Sequence, residues 1–258
     1  MGREEFLEKA RAGVKEAYLE KDRQLIQCVN AIDEIDKTSN LLFERLQEWY
    51  GIYFPELRVK EPEKYCELVL RINRKSINRE ELSGIVGADS ANVIAERAGR
   101  SMGVDLGDND LGEIRKLAKE ILNMQSMRSS FEKYEIGFAK ELCPNLCYLI
   151  EAPLAAKLIA HAGSLKRLAN MPASTIQVLG AEKALFKHLR NHTRPPKHGL
   201  LFQHPWVNSA PKKERGRIAR LLSTKIAIAL KADFYSKNFI ADRLKVDLDR
   251  RMEEIRKG

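Results

Sequence analysis

Residues 114–138 read IRKLAKEILNMQSMRSSFEKYEIGF, and the placing of their apolar side chains decides the architecture. Ile114, Leu117, Ile121, Met124, Met127, Phe131, Tyr134 and Phe138 follow one another at about 3.4 residues per step, close to the repeat of a coiled-coil seam. That spacing gathers the side chains on one stripe of a long helix, where alternation by two would make a strand. Pro144 breaks the run. A companion run starts near Asp22 and carries Leu25, Val29, Ile32, Ile35, Leu42, Leu46, Trp49 and Tyr53 at helical spacing. Phe54-Pro55 stops it, because proline disfavours helical backbone in the residue before it. Two long striped helices predict an antiparallel coiled-coil arm with its seam turned inward. The same stripes would serve an ordinary bundle core equally well.

Outward from these two runs, the chain reads as helix throughout. Residues 3–20 predict a charged helix, and 64–73, 79–86 and 90–101 predict shorter ones before a glycine- and aspartate-rich turn from Val104 to Asp110. After Pro144 the spacing predicts helices over 153–161, 164–169, 174–192, 211–231 and 233–255, punctuated by Pro172, Pro195-Pro196 and Pro205. No strand pair and no internal repeat stand out. The expected fold is mainly α, a long antiparallel coiled-coil arm plus a compact helical C-terminal domain. Its expected divisions are an N-terminal helical segment at 1–40, the arm with a helical tip insertion at 41–142, and the C-terminal domain at 143–258.

Composition excludes several function classes. With 44% hydrophobic and 31% charged residues, the 258-residue chain has the balance of a folded, helix-rich protein. Aromatic residues make up 7%, too few for a platform of rings stacked on bases. No apolar run is long enough to span a membrane, and MGREEFLEKARAG lacks a signal-peptide core, so an intracellular protein is expected. Cys28, Cys66, Cys143 and Cys147 do not match common zinc spacing and read as free, mostly buried thiols. There is no P-loop, G-x-G-x-x-G, G-x-S-x-G or H-E-x-x-H.

Charge is localised. Between Lys183 and Lys225 stand eleven Lys or Arg residues and one acid, Glu214, so this segment holds +10 in a chain whose net charge is +9. Cations at that density are the footprint of a polyphosphate partner, since each one that neutralises a phosphate releases condensed counterions; a solvated basic face is the bland alternative. Lys183, Lys187 and Arg190 are spaced four and three apart and line one helix face, which can follow a nucleic-acid backbone. Lys212, Lys213, Arg215, Arg217 and Arg220 crowd the start of the next helix, against the helix dipole, where an anion would also meet free backbone N–H groups. Glu182 is suited either to capping backbone amides or to accepting from base and sugar donors. His188 and His192 are four apart, but Lys187, Arg190 and Arg194 beside them would repel a metal cation.

Several motifs carry a resemblance. Trp49-Tyr50-Gly51-Ile52-Tyr53-Phe54-Pro55-Glu56-Leu57 resembles the W-Y-x-x-x-F-P-E-L signature of the Nop-domain proteins of box C/D small ribonucleoproteins. Cys143-Pro144-Asn145-Leu146, Ala162-Gly163-Ser164-Leu165 with Leu168-Ala169, Met171-Pro172-Ala173-Ser174, Gly180-Ala181-Glu182-Lys183, Lys197-His198-Gly199 and Phe202-Gln203-His204 resemble that family's further blocks, in the family's order. The similarity is greatest to the archaeal members. It implies a scaffold without catalytic residues, metal or cofactor of its own. Its implied partners are a kink-turn-binding protein of ribosomal type, a box C/D guide RNA, a second copy through the coiled coil, and the methyltransferase fibrillarin, which carries S-adenosylmethionine and methylates ribose 2′-oxygens. Gly180, Ala181, Glu182, Lys183, Lys187, His188, Arg190, Arg194, Lys197, His198 and Gln203, together with Lys212, Lys213, Arg217 and Arg220, are the expected composite surface for RNA and protein. Ile114, Leu117, Ile121, Met124 and Phe131 are the expected self-association arm. Members usually carry an α/β domain ahead of the W-Y-x-x-x-F-P-E-L segment. Here 48 residues precede it, so residues 1–48 are expected to hold whatever contact with fibrillarin remains. The near-absence of a lysine-rich tail points to a cytoplasmic archaeal protein, with a nucleolar one as the eukaryotic counterpart. The alternative is a spliceosomal-type kink-turn particle without methyltransferase, and a third reading is an enzyme acting on nucleic acid.

Overall fold

The computed structural model describes residues 7–8 and 21–257, and every described element is helical. The helix expected at 3–20 lies outside the described residues, apart from 7 and 8, which are helical. The two long helices are α1 (Asp22–Tyr53) and α5 (Asp108–Leu142), with α2 (Pro62–Arg71), α3 (Arg79–Val86) and α4 (Ala88–Gly99) between them. Beyond Cys143 come α6 (Pro144–Leu149), α7 (Ala152–Ala162), α8 (Leu165–Asn170), α9 (Ala173–Val178), α10 (Glu182–Asn191), α11 (Pro205–Asn208), α12 (Arg215–Lys231) and α13 (Ala241–Lys257).

The chain divides into two compact units, residues 32–131 and residues 1–31 with 132–258. In the first, Arg128 donates to Asp36 and Gln125 to Ser39, so α1 and α5 run antiparallel there. Its core joins Leu46, Tyr50, Tyr53 and Phe54 from α1 and the turn after it to Ile114, Ala118 and Ile121 of α5 and to Tyr65, Leu68 and Val69 of α2. Side chains of the stripe become more accessible along α5: Ile114 and Ile121 are fully buried, Leu117, Met124 and Phe131 are half-buried, and Met127 and Tyr134 are exposed. Gln125 and Arg128 occupy that part of the seam, where polar pairs replace apolar packing. On the second stripe Tyr53 is buried as expected, but Trp49 is exposed and its neighbour Tyr50 is buried in its place.

The W-Y-x-x-x-F-P-E-L segment earns its residue types here. Tyr50, Tyr53, Phe54 and Leu57 are core. Glu56 accepts from the Ser101 hydroxyl (2.6 Å) and the Met102 N–H (2.9 Å), holding the loop that follows α4. Arg74 clamps the same loop, donating to Ser101 and Gly103 while lying 4.3 Å from the Tyr53 ring centroid. At Gly103 a Cβ would overlap the Tyr53 carbonyl, so only glycine permits that approach.

The other unit has its own core, built from Leu25 and Val29 of α1, Ala139 of α5 and the inner faces of α6 to α8, α12 and α13. The described start of α1 therefore packs with the C-terminal half, through Leu25 and Val29 and through Asp22, which accepts from the Leu165 N–H (2.6 Å). Two helices expected to be continuous are broken. The run over 174–192 splits at Leu179–Ala181, with Gly180 at φ 84°, because the returning chain takes its carbonyls: Gly199 N–H donates to Gln177 (3.0 Å) and Leu200 N–H to Leu179 (2.7 Å). The run over 233–255 breaks at a π-turn, Ala232–Ser236, closed by left-handed Lys237 (φ 56°). That turn aims Asp233 at the start of α6, where its carboxylate accepts from Asn145 N–H, Asn145 Nδ2 and Leu146 N–H at 2.8–2.9 Å.

Candidate nucleic-acid interface

Residues 181–198 leave and re-enter the C-terminal unit through one clamp. Besides the two backbone bonds at Gly199 and Leu200, Gln177 donates from Nε2 to the Lys197 carbonyl (2.7 Å). Neither glycine at this clamp tolerates a side chain freely: a Cβ at Gly199 would overlap the Leu179 carbonyl, and one at Gly180 would press on Leu200. Glu182 takes the capping role, since its Oε1 accepts from the Gly180 N–H (2.7 Å). Ala181, beside them, is the residue from which α10 departs.

α10 buries none of its residues. Lys183, Lys187 and Arg190 are exposed along one face, and beside them stand Phe186 and Leu189, exposed to 70% and 65%. An isolated ten-residue helix is marginal in water, and here two large apolar side chains are displayed next to three cations. His188 sits on the inner side and donates from Nδ1 to the Thr193 carbonyl, while left-handed His192 ends the helix. Both are thus occupied in shaping the turn, and no His, Cys, Asp and Glu cluster suited to a metal occurs among the described residues. Arg194 is exposed in the segment leading back.

At the return, His198 stacks on Phe202 (centroids 4.9 Å apart) and Arg215 lies 5.1 Å from the same ring. Burial, with Arg215 and Lys197 nearby, pushes the His198 pKa below its ordinary value, so His198 is a neutral ring inside a cationic cluster. The Lys197 stem packs against Gly216 in the first turn of α12, which joins the excursion to the second basic group. Arg215 itself donates to the carbonyls of Ala210 (2.9 Å) and Asn208 (3.1 Å) and shapes the turn before α12. Lys212, Lys213, Arg217, Arg220 and Gln203 are exposed. His204 caps α11, accepting from the Trp206 N–H (3.2 Å).

The structure therefore gathers Gly180–Lys183, Lys197, His198 and the start of α12, and leaves Lys187, Arg190 and Arg194 exposed on the excursion. One cation of the basic segment drops out. Lys225 is buried and ion-paired with Asp247, from outside the segment; the hydrogen bond from Lys225, with Arg250 beside it, holds the Asp247 carboxyl well below the usual carboxylate range. Phe186 and Leu189 were not singled out as site residues by the sequence, and Arg215, read there as one of a basic group, is instead held by backbone carbonyls. Only the tertiary structure shows that Phe186 and Leu189 stand exposed among the described residues.

Among the described residues, then, an all-helical fold holds out a cationic, partly apolar helix from a clamp that two glycines permit. The Nop family, described as snoRNA binding domain, fibrillarin, matches residues 31–254, and the chain belongs to it. It is 46% identical to a NOP5 family protein of Methanocaldococcus jannaschii over 247 residues, which are 95% of this chain and 59% of the relative. It is 36% identical to nucleolar protein 56 of Bos taurus over 96% of this chain and 44% of that protein. The chain thus spans about half the length of these curated relatives. A solved fibrillarin/Nop5p complex contains a similar chain, with TM-score 0.57 and 26% identity over 98% of this chain and 77% of that one.

Proposed function

We propose that this chain is a non-catalytic scaffold of a box C/D-type guide ribonucleoprotein, which holds a fibrillarin-like methyltransferase in one frame with a kink-turn RNA and the protein bound to it. The observation that carries this reading is α10, a helix with no buried residue that presents Lys183, Lys187 and Arg190 beside Phe186 and Leu189. Cations supply the sequence-independent attraction to phosphate, and the apolar pair supplies area that only a protein or base surface can cover. A scaffold accelerates its partner's reaction by positioning, so the S-adenosylmethionine and the reacting groups belong to the methyltransferase. The family match, with its snoRNA-binding description, and the solved complex of a similar chain with fibrillarin support this reading over a particle without methyltransferase. A eukaryotic counterpart would work in the nucleolus, as the names of the 56-type relatives indicate.

Reconstitution with a fibrillarin-type enzyme, the kink-turn protein and a guide RNA, each omitted in turn, tests the proposal. Methyltransferase recruited to the RNA equally well without this chain would overturn it. Lys183→Ala and Arg190→Ala are each expected to weaken assembly on every guide RNA alike and to lower the slope of log affinity against log salt by about 1. Neither should change folding by more than about 0.5 kcal/mol, because both side chains are exposed. Assembly of both folded variants at wild-type affinity would remove this face from the site.

Self-association belongs to the same proposal, on different residues from those expected. Ile114 and Ile121 are committed to the core of their own unit, with Leu117 packed against it. In that unit the loop fastened by Glu56 and Arg74 thrusts Met102 (88% exposed) and Val104 (61%) into solvent, and Val104 N–H donates to the Ile52 carbonyl (2.9 Å). Ile52 and Trp49 are exposed as well, so a second copy has an apolar patch to cover there. Met102→Asp combined with Ile52→Asp is expected to convert an oligomer to monomer in sedimentation, with helicity intact; an unchanged oligomer mass would place the contact elsewhere.

A further inference from the structure

The C-P-N-L-C segment brings two of the four cysteines together in a way the ribonucleoprotein role does not use. Cys143 caps the start of α6 and Cys147 lies one turn on, with their sulfurs 3.8 Å apart. Cys147 N–H donates to the Cys143 carbonyl (3.0 Å), and one α-helical turn places such Cα atoms about 6 Å apart. That separation falls within the roughly 4.4–6.8 Å range a disulfide spans. The two thiols differ in access. Cys143 is fully buried and Cys147 half-buried. Cys143 has one S–H proton and two acceptors in reach, the Ala139 carbonyl at 3.2 Å and the Cys147 sulfur. Donation to Cys147, together with burial, pushes the Cys143 thiol up, and Cys147 is the more accessible of the two sulfurs.

We propose that Cys143 and Cys147 form an oxidisable dithiol, with Cys147 the attacking sulfur and Cys143 the resolving one, that reduces hydrogen peroxide and closes an intrahelical disulfide. In the first step the Cys147 thiolate attacks the peroxide. An S–O bond forms, the O–O bond breaks, and the leaving oxygen departs as water after protonation. In the second step the Cys143 sulfur attacks the Cys147 sulfenic acid. The S–S bond forms, the S–O bond breaks, and a second water leaves with the Cys143 proton. Two thiols are oxidised by two electrons and one peroxide is reduced to two waters. Cys28 and Cys66 stay out of the reaction. Both are buried, and burial pushes the Cys66 thiol up to about 12.

The pair is suited to a direct test, because cleavage after Lys140 and Lys157 releases both sulfurs in one peptide, residues 141–157. Hydrogen peroxide added to the full chain, followed by alkylation of free thiols and mass spectrometry, is expected to give that peptide with a loss of about 2 Da and no alkyl group, restored by dithiothreitol. In Cys143→Ser, Cys147 is expected to stop at a sulfenic acid that dimedone traps. In Cys147→Ser, Cys143 should remain an unmodified thiol at the same peroxide concentration. Three outcomes overturn the proposal: a peptide with both thiols still alkylated, stepwise gain of oxygen on Cys147 without a crosslink, or a reducible dimer joined between chains.

Discussion

Asp233→Ala is expected to lower the thermal midpoint of the C-terminal unit by about 10 °C, a loss of about 4 kcal/mol. The buried Asp233 carboxylate accepts three hydrogen bonds, from Asn145 N–H (2.9 Å), Asn145 Nδ2 (2.8 Å) and Leu146 N–H (2.9 Å). Asn145, also buried, spends its remaining side-chain donor on the Asn238 carbonyl (2.9 Å), and its side-chain Oδ1 accepts from the Ile240 N–H (2.6 Å). One carboxylate and one amide thus tie the start of α6 to both sides of the break between α12 and α13. Bonds to an ionised acceptor are each worth roughly 1.5–3 kcal/mol, and removing the acceptor leaves three buried donors without water. Asp233→Asn keeps one acceptor oxygen and should recover part of the loss. A midpoint for the alanine variant within about 2 °C of wild type would show that the network does not hold these elements together.

That network also shows where the sequence was legible and where it was not. The C-P-N-L block was visible as a motif, and Pro144 as a helix boundary, because proline's missing N–H acts locally. Its partner lies 88 residues away in a π-turn that no local pattern announces. Helix type and the ends of the long helices followed from apolar spacing and from Pro55 and Pro144. The break at Gly180 did not, since Gly180 and Gly199 matter through a clamp between strands of chain distant in sequence. For the basic surface, charge density found the right segment. Charge alone cannot tell Lys225, which is buried against Asp247, from Lys183, which is exposed. Nor can it show that Phe186 and Leu189 are exposed among the described residues. The peptide Trp49–Leu57 was read as a signature, and its physical content is a core edge with Glu56 and Arg74 locking the loop 101–105 beside it.

Ile121→Asp should cost at least about 5 kcal/mol and unfold the unit formed by residues 32–131. Ile121 has no exposed surface, and its neighbours in the core include Leu46, Tyr50, Ile114 and Ala118. Removing a buried isoleucine side chain alone costs roughly 2–5 kcal/mol, and a carboxyl in that apolar site must either ionise without a partner or bind a proton it would release in water. Phe131→Asp, on the same stripe, is expected to cost about 1 kcal/mol, because Phe131 is half-buried and lies where α5 meets α1 through Arg128, Asp36, Gln125 and Ser39. A continuous apolar seam over 114–138 would make the two substitutions comparably damaging. Urea melts of both variants decide the matter: similar midpoints would restore the uninterrupted coiled coil that the spacing alone describes, while a wide gap would show a packed apolar end of α5 giving way to a polar seam within one helix.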